Sequence, residues 1–326
     1  MERIDRQIVH CLRYDGRASF RRIAEALGVS EQTVARRYRA LRSRGALRVQ
    51  ALPDAAGDRT WFVRMRCRPD STDALADAVA ARADVSWVSI TSGGSEIVCV
   101  THSDPQREDG PVLHRLPRTN QMMGFDAFAV LHTHAGSGSG WLAADDPLAA
   151  DQVAALRDGA HPNGAHPNGA AGAIRAEDGP LLAELANDGR AGVVALARAT
   201  GWPQSRVSAR LEELLSARAV RVGLDLAPPQ FGYHAIAYLW LTVAPGELEA
   251  TGAALAARTG TTFAAAVTGT ANLLVGATCR DADALYAYVT TEVGGLPAVR
   301  QVEVVPVLHR LKQAGARVAG GRLMIT

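Results

Sequence analysis

The feature that most constrains this 326-residue chain is an internal repeat at an offset of 173 residues. The motif DGRA at 15–18 recurs at 188–191, and seven further positions agree in the same register without a gap. The agreeing pairs are Ala24 and Ala197, Gly28 and Gly201, Val34 and Val207, Arg37 and Arg210, Leu41 and Leu214, Arg48 and Arg221, and Val49 and Val222. Chance does not produce agreement at so many glycine, arginine and apolar positions, so the sequence predicts one set of domains present twice.

Each copy begins with three predicted helices and a strand. In the first copy, apolar residues recur at helical spacing around Ile23 and again around Val34. The tetrad LGVS separates these two helices, because Gly28 can take the left-handed conformation and Ser30 can cap the helix that follows. The segment ALRVQAL at 46–52 then predicts a strand, or wing.

The second part of each copy alternates as strand, helix, strand, strand, helix, strand. This order is typical of the ferredoxin-like split βαβ fold, an antiparallel sheet with helices on one face. The other face has to be covered, usually by a second such sheet. In the first copy the second helix is short and interrupted by proline, at 112–116. The predicted fold class is α+β, with two copies of a winged helix-turn-helix plus a ferredoxin-like βαββαβ sensor domain.

The connection between the copies has a different composition. GSGSG at 136–140 and the tandem repeat HPNGAHPNGA at 161–170 predict flexible chain, with a short amphipathic helix between them. We interpret His161 and His166 as spacer composition rather than as metal ligands. The predicted domains are 1–52 and 174–226 (helix-turn-helix, the second degenerate), 58–134 and 231–312 (sensor), 135–173 (linker) and 313–326 (tail).

Charge and cysteine content limit the function classes. The formal net charge is +2, so a site for a polyanion has to be a local patch. The four cysteines are far apart and form no CxxC pair, which argues against a disulfide scaffold or structural zinc. The N-terminus lacks the apolar core of a signal peptide, and no apolar run approaches the roughly 20 residues of a membrane helix. The sequence predicts a soluble cytoplasmic protein without a cofactor or membrane partner.

The third helix of the first copy carries five arginines within or beside it, opposed by one glutamate. A basic helix after a tight glycine turn is typical of the helix-turn-helix, whose second helix lies in the major groove of DNA. Arginine can bind guanine in a bidentate fashion and contact phosphates. Arg37 faces nearer the core, and an internal pair with an acid such as Asp15 is an open alternative. The predicted DNA-binding residues are Ser30, Gln32, Thr33, Arg36, Arg37, Arg39, Arg42, Arg44 and Arg48, with Gln204, Ser205, Arg206 and Arg210 in the second copy.

The segment IDRQIVHCLRYDGRASFRRIAEALGVSEQTVARRYRALRSRGALR resembles the N-terminal domain of the Lrp/AsnC family of transcription regulators. The shared pattern is an acidic start, the DGR turn, the LGVS turn and an arginine-containing helix. The second parts resemble the family's ligand-sensing domain, with SGGSEIVCV and TGTANLLVG as its glycine loops. The resemblance implies effector-binding residues Gly93, Gly94 and Glu96, then Gly269 and Asn272. It also implies double-stranded DNA and an amino acid or related small molecule as partners, and homo-oligomers of pseudo-dimeric chains.

The two copies differ where DNA contacts are predicted. Alanine at 209 stands where the first copy has Arg36, and Glu212 stands where it has Arg39. Residues 30–48 carry a net charge of +5, and residues 203–221 a net charge of +2. Each lost phosphate contact lowers the salt dependence of binding by about 0.9 in slope. We therefore expect weaker DNA binding by the second copy and an asymmetric operator.

An enzyme is the main alternative, since some relatives of this fold pair are porphyrinoid decarboxylases. The candidate groups are His132, His134 and His309 on the predicted last strands. Because His132 and His134 alternate along a strand, their imidazoles share a face and could suit a metal, but no third ligand stands at a telling spacing. With no P-loop, nucleophile elbow or HExxH motif present, the sequence predicts no enzyme, no catalytic residue and no metal site. A regulator that acts by protein contact is a further alternative.

Overall fold

A computed structural model describes residues 1–53, 59–68, 70–103, 122–135, 140–143, 145–157 and 174–325. The helix predicted at 112–116 and the HPNGA repeat lie outside these residues. The chain divides into two compact units, which we call the helical unit (1–56, 143–226 and 325–326) and the sheet unit (57–142 and 227–324).

The helices and strands are named here in chain order. They are α1 (Arg3–Tyr14), α2 (Phe20–Leu27), α3 (Glu31–Ser43), β1 (Leu47–Pro53), β2 (Arg59–Cys67), α4 (Thr72–Ala80), β3 (Val85–Thr91), β4 (Glu96–Ser103), β5 (Met122–Ala135), α5 (Ala150–Arg157), α6 (Gly179–Asn187), α7 (Val193–Thr200), α8 (Gln204–Ser216), β6 (Val220–Leu226), β7 (Ala235–Val243), α9 (Leu248–Ala256), β8 (Thr261–Val267), β9 (Leu273–Cys279), α10 (Ala282–Ala287), β10 (Val299–Gln313), β11 (Ala316–Ala319) and β12 (Arg322–Leu323).

The turn between α2 and α3 forms as its residues dictate. Gly28 ends α2 with φ +66°, the left-handed conformation that glycine adopts without steric cost. The Ser30 hydroxyl accepts a hydrogen bond from the amide of Thr33 at 3.2 Å and so caps α3. Gly201 ends α7 in the same way with φ +70°, but Pro203 offers no side-chain cap to α8. The first helical segment (residues 1–53) therefore caps its basic helix with a side chain, whereas the second (174–226) does not cap α8 in this way.

The two helical segments are joined within the helical unit by strand pairing and by their DGRA motifs. Strands β1 and β6 pair in antiparallel fashion. Arg17 donates to the carbonyl oxygens of Gly189 and Ala191, and Arg190 donates to those of Gly16 and Ala18 at 2.6 and 2.7 Å. Each motif thus satisfies carbonyl groups of the other, which gives the repeated DGRA a structural role.

Gly189 provides a test of this packing. Its amide donates to the carbonyl of Val49 at 2.8 Å, and a Cβ on it would lie 2.5 Å from the backbone carbon of Gln50. We expect Gly189→Ala to lower the free energy of unfolding of the helical unit by about 1–3 kcal/mol, because two backbones must separate. Gly179→Ala is the matched control, since a Cβ there meets no atom within 4 Å. Equal urea midpoints for the two variants would contradict the close approach.

The predicted short helix of the linker is α5, which docks on the first helical segment. Leu156 is fully buried, and Gln152 donates to the carbonyl of Ala26 at 2.9 Å. Arg22 donates to the carbonyl of Ala155 at 3.2 Å. Part of the predicted linker is therefore an integral element of the helical unit.

The sheet unit is a closed antiparallel sheet. The hydrogen-bonded order is β10-β3-β4-β2-β5-β8-β9-β7, and β7 pairs back with β10. Closure depends on the two longest strands, because β5 pairs with both β2 and β8, and β10 pairs with both β7 and β3. The expected face-to-face sheets are thus joined at their edges, an arrangement that leaves no open edge in the ring.

Three apolar cores fill the sheet unit. One lies inside the ring and contains Phe62, Tyr238 and Trp240. The second is covered by α4, and the third by α9 and α10. The segment predicted as a tail differs from its expectation, because β11 and β12 continue the sheet from β10 as a short antiparallel extension.

No helix in the described ranges is both long enough and apolar enough to cross a membrane.

Candidate functional site

The outward face of α3 carries cationic and amide side chains without internal partners. Gln32, Arg36, Arg39 and Arg44 are exposed. No ion pair joins these three arginines to another residue in the described part of the chain. Thr33 is half-buried, and its hydroxyl lies 2.8 Å from that of Ser30, so these two residues serve the turn and border the exposed face. This face has the charge and hydrogen-bonding groups that phosphates and base edges require.

Two arginines of the predicted DNA surface are instead held inside the helical unit. Arg48 is buried and donates to Gln50 at 2.6 Å and to Asp225 on β6 at 3.0 Å. Arg42 is half-buried and forms an ion pair with Asp188 at 2.6 Å. The prediction that Arg48 and Arg42 contact DNA is therefore corrected, because each guanidinium group is already paired with a carboxylate.

Arg37 also has an internal role. Its guanidinium pairs with Glu2 at 2.6 Å and with Asp5 of α1 at 3.1 Å. The hydrogen bond from Arg37 lowers the pKa of Glu2 below its usual value. The suggested partner Asp15 pairs with Arg22 instead, at 3.4 Å. Sequence spacing predicts that Arg37 faces inward but does not identify its carboxylate.

The same pair recurs 173 residues later in a more buried form. Arg210 donates to both carboxylate oxygens of Asp178, at 2.9 and 2.6 Å, and the side chains are 4% and 0% exposed. Arg206 is exposed, but it pairs with Glu177 at 2.8 Å and lies over the ring of Trp202. Among the predicted contacts on α8, Gln204 and Ser205 are exposed, whereas Arg210 is a buried structural residue. Its assignment to DNA binding is corrected for that reason.

Acid should weaken the helical unit through Asp178. The hydrogen bonds from Arg210 lower the pKa of Asp178 below its ordinary value of 3.8. The folded state therefore holds fewer protons than the unfolded state between these two pKa values, and the stability that the ionised carboxylate contributes is complete above about pH 4 and lost as the pH falls through the lower value. We expect the urea midpoint to fall more steeply below pH 4 in the wild type than in Asp178→Asn. Parallel pH profiles would contradict this.

The first predicted effector loop has a carboxylate that is fully engaged. Glu96 is buried and accepts hydrogen bonds from Arg64 at 2.8 Å, Thr91 at 3.0 Å and Ser92 at 3.1 Å. Arg64 also donates to both carboxylate oxygens of Glu303 on β10, at 2.8 and 2.9 Å, and this lowers the pKa of Glu303. These three donors occupy most of the acceptor sites of a carboxylate, and Glu96 is only 5% exposed, which limits the access of a ligand ammonium group. Gly93 and Gly94 lie beside it with positive φ, as the loop requires.

In the second predicted loop, the polar side chain also forms hydrogen bonds within the protein. The side-chain amide of Asn272 accepts from the backbone amide of Val243 and donates to the carbonyl of the same residue, both at 2.9 Å. Gly269 has φ +110°, and a Cβ there would lie 3.0 Å from the ring of Phe128 on β5. Gly269 thus lies against a strand that comes from the other half of the chain.

The sheet unit contains an open cavity of about 750 Å³. Its apolar wall includes Ile90, Ile236 and Leu311, and its polar groups include Asp73, His234, His309 and Arg310. Arg310 lies over the ring of Trp87 and donates to Gln313 at 3.2 Å. In the described ranges, neither the two imidazoles nor the carboxylate of Asp73 has a hydrogen-bonding partner. The sequence indicates His309 as a candidate but not Asp73, His234 or Arg310, because these residues come together from α4, β7 and β10.

Comparison with known families identifies domains in both units. Residues 1–42 match the AsnC-type helix-turn-helix domain, and residues 236–316 match the Lrp/AsnC ligand binding domain. The chain carries two domains of the Lrp/AsnC family. The predicted family resemblance is confirmed, and the Lrp/AsnC assignment supports transcription regulation and DNA binding as the class of function. A search of curated proteins gave no match.

Solved structures extend the comparison beyond the Lrp/AsnC domains. Siroheme decarboxylase NirDL, in a complex with an iron-uroporphyrin III analogue, is 11% identical with a TM-score of 0.62, and the match covers 96% of this chain and 93% of that chain. A second NirDL structure is 12% identical with a TM-score of 0.57 and the same coverage. E. coli AsnC is 22% identical with a TM-score of 0.39, over 42% of this chain and 93% of that chain.

The likeness to NirDL concerns the fold. It nevertheless contradicts the prediction of no enzyme, which rested on the missing third ligand and on the absence of known catalytic motifs. The fold that matches 96% of this chain is that of an enzyme, so those two absences do not exclude an enzymatic activity.

Proposed function

We propose that the chain is a DNA-binding transcription regulator built by tandem duplication of a winged helix-turn-helix and a ligand-sensing domain. The observation that carries the proposal is the row of exposed, unpaired side chains on α3 and at its C-terminal cap: Gln32, Arg36, Arg39 and Arg44. An arginine that already has a carboxylate partner contributes little binding free energy when it contacts phosphate. An unpaired arginine can neutralise a phosphate and release its counterions. This row is therefore the surface best suited to a duplex.

The second helical segment is proposed as the weaker DNA-binding half. On α8, Ala209 and Glu212 occupy the positions of Arg36 and Arg39, and Glu177 neutralises Arg206. A duplex would meet a carboxylate where the first segment presents a cation. The operator is accordingly proposed to contain one strong and one degenerate half-site.

Footprinting of the full chain on its own upstream DNA tests this asymmetry. We expect strong protection of one half-site and weak protection of the other, with the weak half lost first as salt is raised. Equal protection of both halves over the salt series would contradict an asymmetric regulator. Binding at only the non-specific, salt-sensitive level would remove the DNA role itself.

We place the small-molecule effector in the 750 Å³ cavity of the sheet unit rather than at Glu96 and Asn272. Cavities of this size accept metabolites, and an amino acid has complementary groups for this lining. Asp73 would pair with an ammonium group, and His234 or His309 could donate to a carboxylate. Amino acids should shift the DNA affinity of the wild type, and the shift should disappear in Asp73→Asn. A shift retained in Asp73→Asn but lost in Glu96→Gln would favour the loop instead.

A decarboxylase acting on a porphyrinoid is the second candidate, favoured by the match to siroheme decarboxylase along almost the whole chain. The two unpartnered imidazoles of the cavity could bind or protonate such a substrate. Asp73 in the same lining opposes a polycarboxylate, since like charges repel, whereas the charge of Asp77 is already paired with Arg317. Incubation with siroheme decides the matter: a loss of substrate mass with release of carbon dioxide would establish the enzyme, and an unchanged mass without release of carbon dioxide would leave the regulator.

Assembly of several chains is also proposed. Met123, Phe125 and Leu131 on β5, with Leu308 on β10, are large apolar side chains that are exposed. Exposed apolar groups on sheet strands are typical of association surfaces. Sedimentation should detect species larger than one chain, and Leu131→Lys should reduce their mass.

A further inference from the structure

Two histidines and a glutamate converge on the surface of the sheet unit, away from the cavity residues described above. His132 and His134 lie on β5, and Glu249 lies in the first turn of α9. His132 Nε2 is 3.9 Å and His134 Nδ1 is 3.7 Å from the Glu249 carboxylate, and the three ligand atoms all lie within 4.8 Å of one another. The sequence shows the two histidines but not the third group, which comes from an element 115 residues further along the chain.

His134 is held in place although its own hydrogen-bonding capacity is not satisfied. Its side chain is 2% exposed, and its Nε2 atom is buried without a partner. A Cβ on Gly252 of α9 would lie 2.2 Å from this Nε2, so the missing side chain leaves the space that the imidazole occupies. With Nε2 against α9, the ring presents Nδ1 to the Glu249 carboxylate, so Nδ1 is the nitrogen that an ion would meet.

The strand itself is irregular at this point. The pairing of β5 with β8 shifts register on both sides of His132, between Val130 and His132 and again between Thr133 and Ala135. Bulges of this kind re-aim side chains and are frequent next to functional sites. The His132 and His134 rings consequently stand edge to face, with centroids 4.7 Å apart, and both carry a nitrogen toward Glu249.

We propose that His132, His134 and Glu249 bind a divalent transition-metal ion such as Zn²⁺. Ligands about 2.0–2.2 Å from a tetrahedral ion are roughly 3.3–3.6 Å apart, closer than the 3.7 and 3.9 Å between the imidazoles and Glu249 and the limit of 4.8 Å among all three atoms. His132 and Glu249 are exposed and can rotate to meet an ion, while His134 is fixed. Two imidazoles and one carboxylate favour zinc, nickel, cobalt or ferrous iron over calcium or magnesium, which prefer oxygen ligands. Water would occupy the remaining positions. The site is independent of the proposed DNA-binding function.

The chain contains its own negative control for this site. Aligning Val130-Leu131-His132 with Val307-Leu308-His309 puts Leu311 at the position of His134. Aligning AAR at 80–82 with AAR at 256–258 puts Asp73 at the position of Glu249, and Ala76 at that of Gly252. Asp73 and His309 do line a common cavity with His234, but among the described residues only His132, His134 and Glu249 bring their ligand atoms together, and Leu311 and Ala76 replace the second strand imidazole and the glycine that makes room for it. Metal binding is therefore expected at one of the two places.

Zinc titration of the full-length protein by calorimetry tests the proposal. A His161→Ala/His166→Ala background removes the two linker imidazoles, and His309→Ala serves as the matched control. We expect one Zn²⁺ per chain in the background protein and in the control, and an affinity weakened more than about 10-fold in His132→Ala and in Glu249→Ala. Both variants change exposed side chains and leave the core intact. Gly252→Ala, which displaces the His134 ring, should have a similar effect.

Cobalt provides a second readout of the same site. Co²⁺ bound by two imidazoles and a carboxylate absorbs in the visible range, and this band should vanish in Glu249→Ala and persist in His309→Ala. Absence of zinc binding by the background protein would overturn the proposal. Undiminished binding in both His132→Ala and Glu249→Ala would overturn it as well, since the ion would then lie elsewhere.

Discussion

Replacing Arg36 and Arg39 of α3 with alanine is expected to abolish sequence-specific DNA binding while the helical unit remains folded. Both guanidinium groups are exposed and pair with no described carboxylate, so their removal leaves no buried group unsatisfied. A bidentate base contact contributes about 1–3 kcal/mol, so losing two weakens binding by at least about 25-fold. If both arginines contact phosphate instead, the slope of log affinity against log salt should fall by about 1.8. Fluorescence anisotropy over a salt series distinguishes these two roles.

The second helical segment provides matched controls for this prediction. Arg206→Ala removes a cation that Glu177 already neutralises, so a small loss of affinity is expected. Ala209→Arg/Glu212→Arg places the two arginines of α3 at the equivalent positions of α8, and should tighten binding and steepen its salt dependence. Equal losses in Arg36→Ala/Arg39→Ala and in Arg206→Ala would argue that both segments bind DNA alike. Unchanged binding in the α3 variant would move the interface elsewhere.

These controls depend on a distinction that sequence can only partly draw. Periodicity correctly separates the outward Arg36 and Arg39 from the inward Arg37, because both faces are defined by apolar neighbours such as Val34 and Leu41. It does not separate Arg42, which has helical spacing suited to solvent but pairs with Asp188. That carboxylate belongs to the other DGRA motif, and a single sequence carries no signal that brings the two motifs together.

In the sheet unit too, local elements can be predicted from the sequence, whereas contacts between distant segments cannot. The order of strands and helices follows from alternation and turn residues, and the described residues contain these elements apart from the helix at 112–116, which lies outside them. Closure of the sheet depends on β5 and β10 being long enough to pair with two neighbours each, and the pattern of one strand does not specify a second partner. Glu249, the third residue of the cluster with His132 and His134, cannot be predicted from the sequence for this reason, since α9 contacts β5 only when the ring is closed.

The burial of a side chain is the other property that its position in the sequence does not predict. Arg210 is among the predicted DNA contacts although it matches the inward-facing Arg37 in the repeat. In the structure the 3₁₀ turn Ala176–Asp178 and the start of α6 bring Asp178 to it, and the two side chains enclose each other. Arg37 and Asp5 form the same pair with more exposure, 18% and 11% for the two side chains. One sequence pattern thus yields a half-buried pair in one segment and a buried pair in the other.

Arg210→Met should be the most destabilising single change considered for the helical unit. The substitution leaves the Asp178 carboxylate, which is fully buried, without its bidentate donor. Removing one partner of a buried ion pair costs about 3–5 kcal/mol, because the remaining charge is desolvated without compensation. Arg37→Met should cost less, since water already reaches that pair and Glu2 is largely exposed. Urea unfolding of the two variants, followed by circular dichroism at pH 7, measures the difference.

The double variant Arg210→Met/Asp178→Leu separates the effect of an unpaired charge from the effect of lost packing. Apolar replacements of similar volume can substitute for a buried ion pair with little change in stability, so the double variant should recover most of the loss. Recovery, together with unaltered DNA binding, would identify Arg210 as a structural residue that fixes the position of α8. A loss of DNA affinity in the stable double variant, at the wild-type urea midpoint, would instead return Arg210 to the DNA-binding surface.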